Sequence, residues 1–260
     1  MQTTIKNIKP ETAKAIARSY HVLQRKPEMI RLGELILPRE ELLQYSKPEL
    51  HKLFNDVILR YYSGEVRIKS MLVEHFEQEK VVAAFEIKTP HSRLDFLRVN
   101  GDTISYEVKS EVDSLHKLPK QVEDYNKLFE YNYLVTDYKH LDEASKLIPE
   151  NYGIYVSDRK RLTRKRRARK NQNLCSEHQL RVFTKKELRK FFKGTADREF
   201  IVDQFGPESI NYCFREMLKA RYQMRWHFLK DNKKDINPVD FQYFFHHNVE
   251  PELLYKDKGI

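Results

Sequence analysis

The chain has 260 residues, 40% of them hydrophobic, with 15 Phe, 15 Tyr and a formal net charge of +10, which is enough for one large domain or two small ones. Two cysteines, Cys175 and Cys213, exclude a disulfide framework and a thiolate zinc site. No run approaches the length of a membrane span and the N-terminus lacks the apolar core of a signal peptide, so the expectation is a cytoplasmic protein that does not cross a membrane. The basic excess points to a polyanionic partner, nucleic acid first and an anionic membrane surface second.

Residues 1–46 read as a helical leader. PETAKAIARSYHVLQ places apolar positions at helical spacing, and RLGELILPREELLQY is expected to hold a short strand or extended segment. Ser46, with Pro48 and Glu49 behind it, starts a helix over ELHKLFNDVILRYYS that Gly64 stops. EVRIKSMLVEHF is a second amphipathic helix. VVAAFEI (81–87) is strand-like, and RLDFLRVNGDTISYEVKS (93–110) reads as two strands joined at Asn-Gly, the strongest short hairpin signal.

LHKLPKQVEDYNKLFEY follows, with Leu118, Val122, Tyr125, Leu128 and Phe129 at helical spacing. YNYLVTD (131–137) is a buried strand, LDEASKLI a helix and YGIYVSD (152–158) another strand. Strands alternating with helices after a hairpin predict an α/β fold, a mixed sheet flanked by helices. The pattern changes at RKRLTRKRRARK (159–170), read as a basic linker. Beyond it, KKELRKFF, DREFIVDQF and PESINYCFREMLKARYQMRWHFL predict a C-terminal helical region (171–260), closed by one short helix and a frayed end. The core is therefore bounded at 47–158. Trp226 is assigned to packing and His246-His247 to the surface.

The hairpin carries charge where a core strand should not. With the loop Asn100-Gly101-Asp102, Val99 pairs with Thr103, and counting outward sets Asp95 opposite Glu107 and Arg93 opposite Lys109. A two-residue loop would make the acidic pair diagonal. Facing carboxylates repel and call for a cation between them. Two acids with a lysine separated by one residue from the second suit metal-dependent phosphodiester hydrolysis. The bland alternative is a solvated cross-strand charge tetrad.

The order of elements and the strings FEIKTPHSRLDF, ISYEVKS and LHKLPKQVEDYNKLF resemble the PD-(D/E)XK nuclease superfamily. The nearest likeness is to small prokaryotic and prophage members with a yEiKS strand and an LPxQxxxY helix, over about residues 60–158. Such a likeness implies a restriction-endonuclease-like core. It implies Asp95 and Glu107 as ligands of Mg²⁺ or Mn²⁺ with the Val108 carbonyl as a third, Lys109 as catalytic lysine, and Gln121 beside the site, one turn before Tyr125. An acidic residue often completes such sites; Glu65 and Glu86 compete for that role. Alone, Glu65 favours a helix N-terminus, Glu86 pairs with Lys88 or Arg93, Gln121 is a surface residue and Tyr125 is core. Leu94 stands where the family often has proline.

Nine of the twelve residues from 159 to 170 are Lys or Arg. Such a run is either a solvated segment or a phosphate-binding one, made of Arg159, Lys160, Arg161, Arg164, Lys165, Arg166, Arg167, Arg169 and Lys170, with Arg93 and Lys120 nearer the hairpin. The leading expectation is a Mg²⁺-dependent nuclease acting on DNA rather than RNA, in phage–host conflict or DNA repair. Its rivals are a non-catalytic nucleic-acid binder on the same fold and an adaptor for an acidic protein.

Overall fold

A computed structural model describes residues 7–158 and 161–256. They form two compact units, one from residues up to 70 together with those from 228 onward, the other from residues 71–227. Both divisions fall inside helices, not at residues 46, 158 or 170 where the composition shifts. Composition tracks surface charge, whereas these units are set by which segments pack together.

The first unit opens with α1 (Pro10–Ser19), α2 (Lys26–Gly33), α3 (Arg39–Leu42), α4 (Lys47–Tyr61) and the start of α5 (Glu65–Phe76). The strand expected in 31–45 is absent. Leu32, Ile36 and Leu37 instead pack against a helical core of Ile16, Met29, Ile30, Leu42, Leu50, Phe54 and Val57. Gly33 permits this, because a Cβ there would lie 2.7 Å from Leu42 Cδ2. Ahead of α4, where Ser46 is expected to start the helix, the Glu49 carboxylate accepts the Ser46 amide at 2.7 Å, as in a capping box.

The second unit is built on a sheet of β1 (Val82–Lys88), β2 (Arg93–Asn100), β3 (Asp102–Lys109), β4 (Tyr131–Asp137), β5 (Gly153–Ser157) and β6 (Leu162–Arg166), in that spatial order. The first three strands are antiparallel, β3–β4–β5 are parallel, and β6 returns antiparallel. This is the expected α/β fold with a mixed sheet, plus one strand the sequence did not announce. The parallel steps are spanned by α6 (Leu118–Asn126) and α7 (Leu141–Leu147); α8 (Ser176–Arg181), α9 (Lys185–Phe191), α10 (Arg198–Gln204) and α11 (Pro207–Asp231) follow.

Strand alternation gives the sheet two apolar faces. One packs rings: Phe76, Phe85, Phe96, Tyr106, Tyr133, Tyr155 and Trp226 form a chain of contacts with centroids 5.1–6.3 Å apart. Each fully buried ring contributes up to ~3 kcal/mol relative to exposure. On the other, Leu134, Ile154 and Val156 meet Leu118 and Val122 from α6, Ala144 from α7 and Ile148 just after it. Glu107 pairs with Leu134 across the parallel β3–β4 ladder, so its side chain emerges on the α6 side.

The basic stretch is not a linker. Its centre, Leu162–Arg166, is edge strand β6. The Arg166 guanidinium is used internally, donating to the carbonyls of Tyr152 at 2.7 Å and Pro149 at 3.2 Å. Arg159 and Lys160 lie outside the described residues. Beyond α11, the first unit is completed by α12 (Phe241–His247) and α13 (Pro251–Tyr255). In place of one short helix and a frayed end, they bury Phe241, Phe244, Phe245 and Tyr255.

Candidate active site at the end of the sheet

The hairpin forms in the three-residue-loop register. Val99 pairs with Thr103 and Phe96 with Tyr106, and Gly101 takes φ +74° at the turn, a conformation that favours glycine. The β2–β3 ladder stops one pair short of Asp95 and Glu107. There Asp95 Oδ2 accepts the Val108 amide at 2.8 Å, so a side chain replaces the cross-strand carbonyl.

Asp95, Glu107 and Lys109 are 8%, 2% and 8% exposed, which rules out a solvated tetrad. Lys109 Nζ lies 2.6 Å from Glu107 Oε1. The Tyr125 hydroxyl, from α6, sits 3.0 Å from Glu107 Oε2 and 2.9 Å from the Arg93 carbonyl; its one proton serves either. Tyr125 is thus both core and site. One turn earlier on the same helix face, the Oε1 of Gln121 is buried with no hydrogen-bond partner among the described residues.

The electrostatics follow. Burial first, then the Asp95 charge, push Glu107 up to about 8, against the pull of Lys109 and the Tyr125 hydroxyl. Burial opposes the Lys109 ammonium, but Glu107 and Asp95 outweigh it and its pKa ends above the ordinary lysine value. Burial and the same two carboxylates raise Tyr125, keeping it a neutral donor. Clustered shifts of this kind mark functional sites more often than structural ones.

The remaining expected residues divide. Glu86 stands where the β1–β2 register would set it opposite Asp95, but it has φ +52° and the ladder skips it. Such strain in a non-glycine residue inside a strand is costly and is concentrated at functional sites. Its carboxylate lies 3.8 Å from Arg93. Glu65 starts α5 in the other compact unit and sits 3.3 Å from Lys69. Among the described residues no three His, Cys, Asp or Glu side chains converge as metal ligands. Arg93 and Lys120 are exposed.

Of the basic segment, Arg164, Lys165, Arg167, Arg169 and Lys170 are exposed. Arg161 pairs with Asp158 and Arg169 with Glu150, both at 3.2 Å. Arg166, committed to two carbonyls, is removed from the phosphate-binding set. Lys165 Nζ lies 5.4 Å from the ring of exposed Tyr138, which directly follows β4.

Sequence reasoning missed the supports around the site. Thr136 Oγ1 donates to the Lys109 carbonyl at 2.9 Å, and Asp113 accepts from the Ser110 amide and hydroxyl, fixing the backbone after β3. Buried Asp124 of α6 accepts from Thr89 Oγ1 at 2.5 Å and lies 2.6 Å from His178 Nε2, tying α6 and α8 to the β1–β2 turn. A cleft of about 1170 Å³ opens beside that turn. Its Lys88, Arg181, Arg198 and Arg221 are balanced by Glu177, Glu187, Asp197 and Glu199, so it is not a phosphate track.

Comparison with known proteins places the chain by family. A solved protein of unknown function from Silicibacter pomeroyi is similar at 15% identity and a TM-score of 0.33, over 60% of this chain and 89% of that one. No curated protein matches significantly. The family model described as Bacteriophage P4 protein cII matches residues 60–244, which takes in the whole sheet, the hairpin site and most of the helices after it. With well over half of its length matched, the chain belongs to the Bacteriophage P4 protein cII family.

Proposed function

We propose that the protein is a metal-dependent nuclease of the PD-(D/E)XK kind, hydrolysing phosphodiester bonds of nucleic acid, DNA before RNA. The observation that carries this reading is the burial of Asp95, Glu107 and Lys109 together at the end of β2 and β3, with Glu107 pushed up by burial and by Asp95. The donor chemistry fits Mg²⁺ or Mn²⁺: Asp95, Glu107 and the Val108 carbonyl are hard oxygen ligands. A bound divalent cation would relieve the repulsion between the two carboxylates. When bound, such a cation lowers the pKa of its water and neutralises charge on the phosphate.

This chain's own residues supply the rest. Val108 N–H holds Asp95 in place. The Tyr125 hydroxyl orients Glu107. Lys109 carries an ammonium that can stabilise charge growing on phosphorus as water attacks and the leaving oxygen departs. Gln121 Oε1, an acceptor without a partner, can take a hydrogen bond from the attacking water. Exposed cations of β6 and beyond supply sequence-independent affinity. Membership of a bacteriophage-named family supports a phage-related setting.

The test is Mg²⁺- or Mn²⁺-dependent nicking or degradation of plasmid and single-stranded DNA by the wild type. Binding without cleavage under every metal and substrate would favour the second reading, a non-catalytic nucleic-acid binder.

A further inference from the structure

The unit made from both chain ends holds a pocket of about 450 Å³, far in sequence from the hairpin. Rings of Tyr20, His21, Tyr62 and Tyr243 wall it, and Glu65 and Asp240 supply its acids. Among the described residues no Lys or Arg lines it, in a chain of net charge +10. Tyr243 stacks on His247 with centroids 4.1 Å apart and meets His21 edge-on at 5.6 Å, so this aromatic wall is pre-formed.

Asp240 is 4% exposed, and its hydrogen bonds run in one direction. Tyr20 and Tyr255 both donate to Oδ2, at 3.0 and 2.8 Å. Tyr255 oxygen accepts the Asn237 amide at 3.0 Å. Tyr20 oxygen lies 2.7 Å from His51 Nδ1. Since the Tyr20 proton goes to Asp240, His51 donates from Nδ1. That leaves the lone pair of His51 Nε2 as its buried, unpartnered atom, a smaller penalty than an orphaned N–H. Every donor in the chain is used, and all of them end on Oδ2. Asp240 Oδ1 takes no hydrogen bond from the described residues. Oδ1 is not one of the enclosed unpartnered polar atoms among the described residues; it is an accessible acceptor on an otherwise buried residue that lines the aromatic pocket.

We infer that this pocket binds a small organic cation bearing an N–H donor, an alkylammonium or guanidinium group that donates to Asp240 Oδ1 and lies against the faces of the tyrosine rings. Aromatic walls attract cations through the ring quadrupole, and a charge-assisted hydrogen bond to a carboxylate is about twice as strong as a neutral one. A free amine and a lysine or arginine side chain of another protein share this chemistry. The pocket's volume suits the free amine.

Calorimetric titration of the full chain with putrescine and with agmatine tests the assignment, with 1,4-butanediol as a neutral isostere. Saturable binding of both cations is expected, with the diol weaker by about tenfold or more. Asp240→Asn should weaken the cations by a similar factor. That variant also disturbs two tyrosine hydroxyls, so Tyr243→Leu, which removes only a wall, is measured beside it; with folding verified by circular dichroism it should weaken both cations several-fold. N-acetyl-lysine methylamide distinguishes the source: binding as tight as putrescine would move the ligand to a partner's side chain. Absence of saturable heat with either cation, equal binding of the diol, or unchanged affinity in both variants would overturn the inference.

Discussion

Lys109 is where a nuclease and a mere binder part. Its ammonium is already committed to Glu107 at 2.6 Å, so truncating it takes little from the ground state. Lys109→Ala should keep DNA binding within about threefold while cleavage falls on the order of a hundredfold or more, typical of removing one preorganised electrostatic group. Lys109→Arg should not restore the rate, because a planar fork does not replace a compact ammonium. Cleavage and binding assays with both variants decide this; a fully active Lys109→Ala would move the site elsewhere. Asp95 and Glu107 make a second prediction. Mg²⁺ or Mn²⁺ should raise the wild-type Tm by relieving their repulsion, and Asp95→Asn should abolish the rise. Equal metal shifts in both proteins would leave the carboxylate pair without a metal.

At the same scale, Asp240 makes stability depend on pH. Burial, tempered by the Tyr255 and Tyr20 hydroxyls, lifts it from 3.8 to about 6. A raised carboxyl gives stability that is full below its unfolded value and fades as pH rises through the native one. His51 has the opposite sign. Burial and then Lys47 lower it from 6.5 to about 4, so its contribution holds above 6.5 and is lost as pH falls through 4. In the wild type the two trends offset each other. Asp240→Asn should therefore gain stability relative to wild type between about pH 4 and pH 7, by up to ~3 kcal/mol. Urea melts at both ends of that window are the measurement, and parallel curves would refute the assignment.

Among the elements, β6 is the one whose role is divided. Its cations face solvent at a sheet edge, where Lys and Arg also discourage pairing with another strand. Replacing Arg164, Lys165 and Arg167 with Ala should flatten the log-affinity against log-salt slope for DNA by roughly 2–3, at ~0.9 per lost phosphate contact. Stability should hardly change. Arg166→Ala should do the reverse, costing about 1–3 kcal/mol through two orphaned carbonyls while sparing the salt slope. An unaltered slope in the triple variant would leave the cations as edge guards alone.

The hairpin was legible because Asn-Gly and strict alternation fix a register from local chemistry, and α5 and β4 fall on the very strings that predict them. β6 was not, because nine cations in twelve residues conceal the β-forming Leu162 and Thr163. The run around Leu35–Leu37 was ambiguous between strand and helix until its partners in α2 and α4 were known. Of the site, Asp95, Glu107, Lys109 and Gln121 could be named in advance from their spacing and a family likeness. The strain at Glu86 and the Tyr20–Asp240 bond, 220 residues apart, have no local signature.

On the scale of the molecule, the helical unit depends on both chain ends. Asp240 accepts from Tyr20 and from Tyr255 on the same oxygen, joining the end of α1 to α13, and Lys47 donates to the Leu254 carbonyl at 2.5 Å. Deleting residues 235–260 should therefore loosen α1 and α4 while the sheet persists. Hydrogen exchange would show lost protection in α4 amides and retained protection in β3 and β4; uniform loss would mean that the units do not unfold separately.

The sheet unit is an insertion within the helical one, lying wholly between residues 70 and 228. That order sets a schedule for synthesis. At ~5–20 residues per second, roughly 10 to 40 s separate the emergence of α4 from that of α12. Throughout that interval Leu50, Phe54 and Val57 have no C-terminal segment to complete their unit, while from the emergence of β6 onward every strand of the sheet is available to pair. The nascent chain thus presents a finished sheet beside an unfinished bundle, and the first helices are the segment on which a chaperone has the longest time to act.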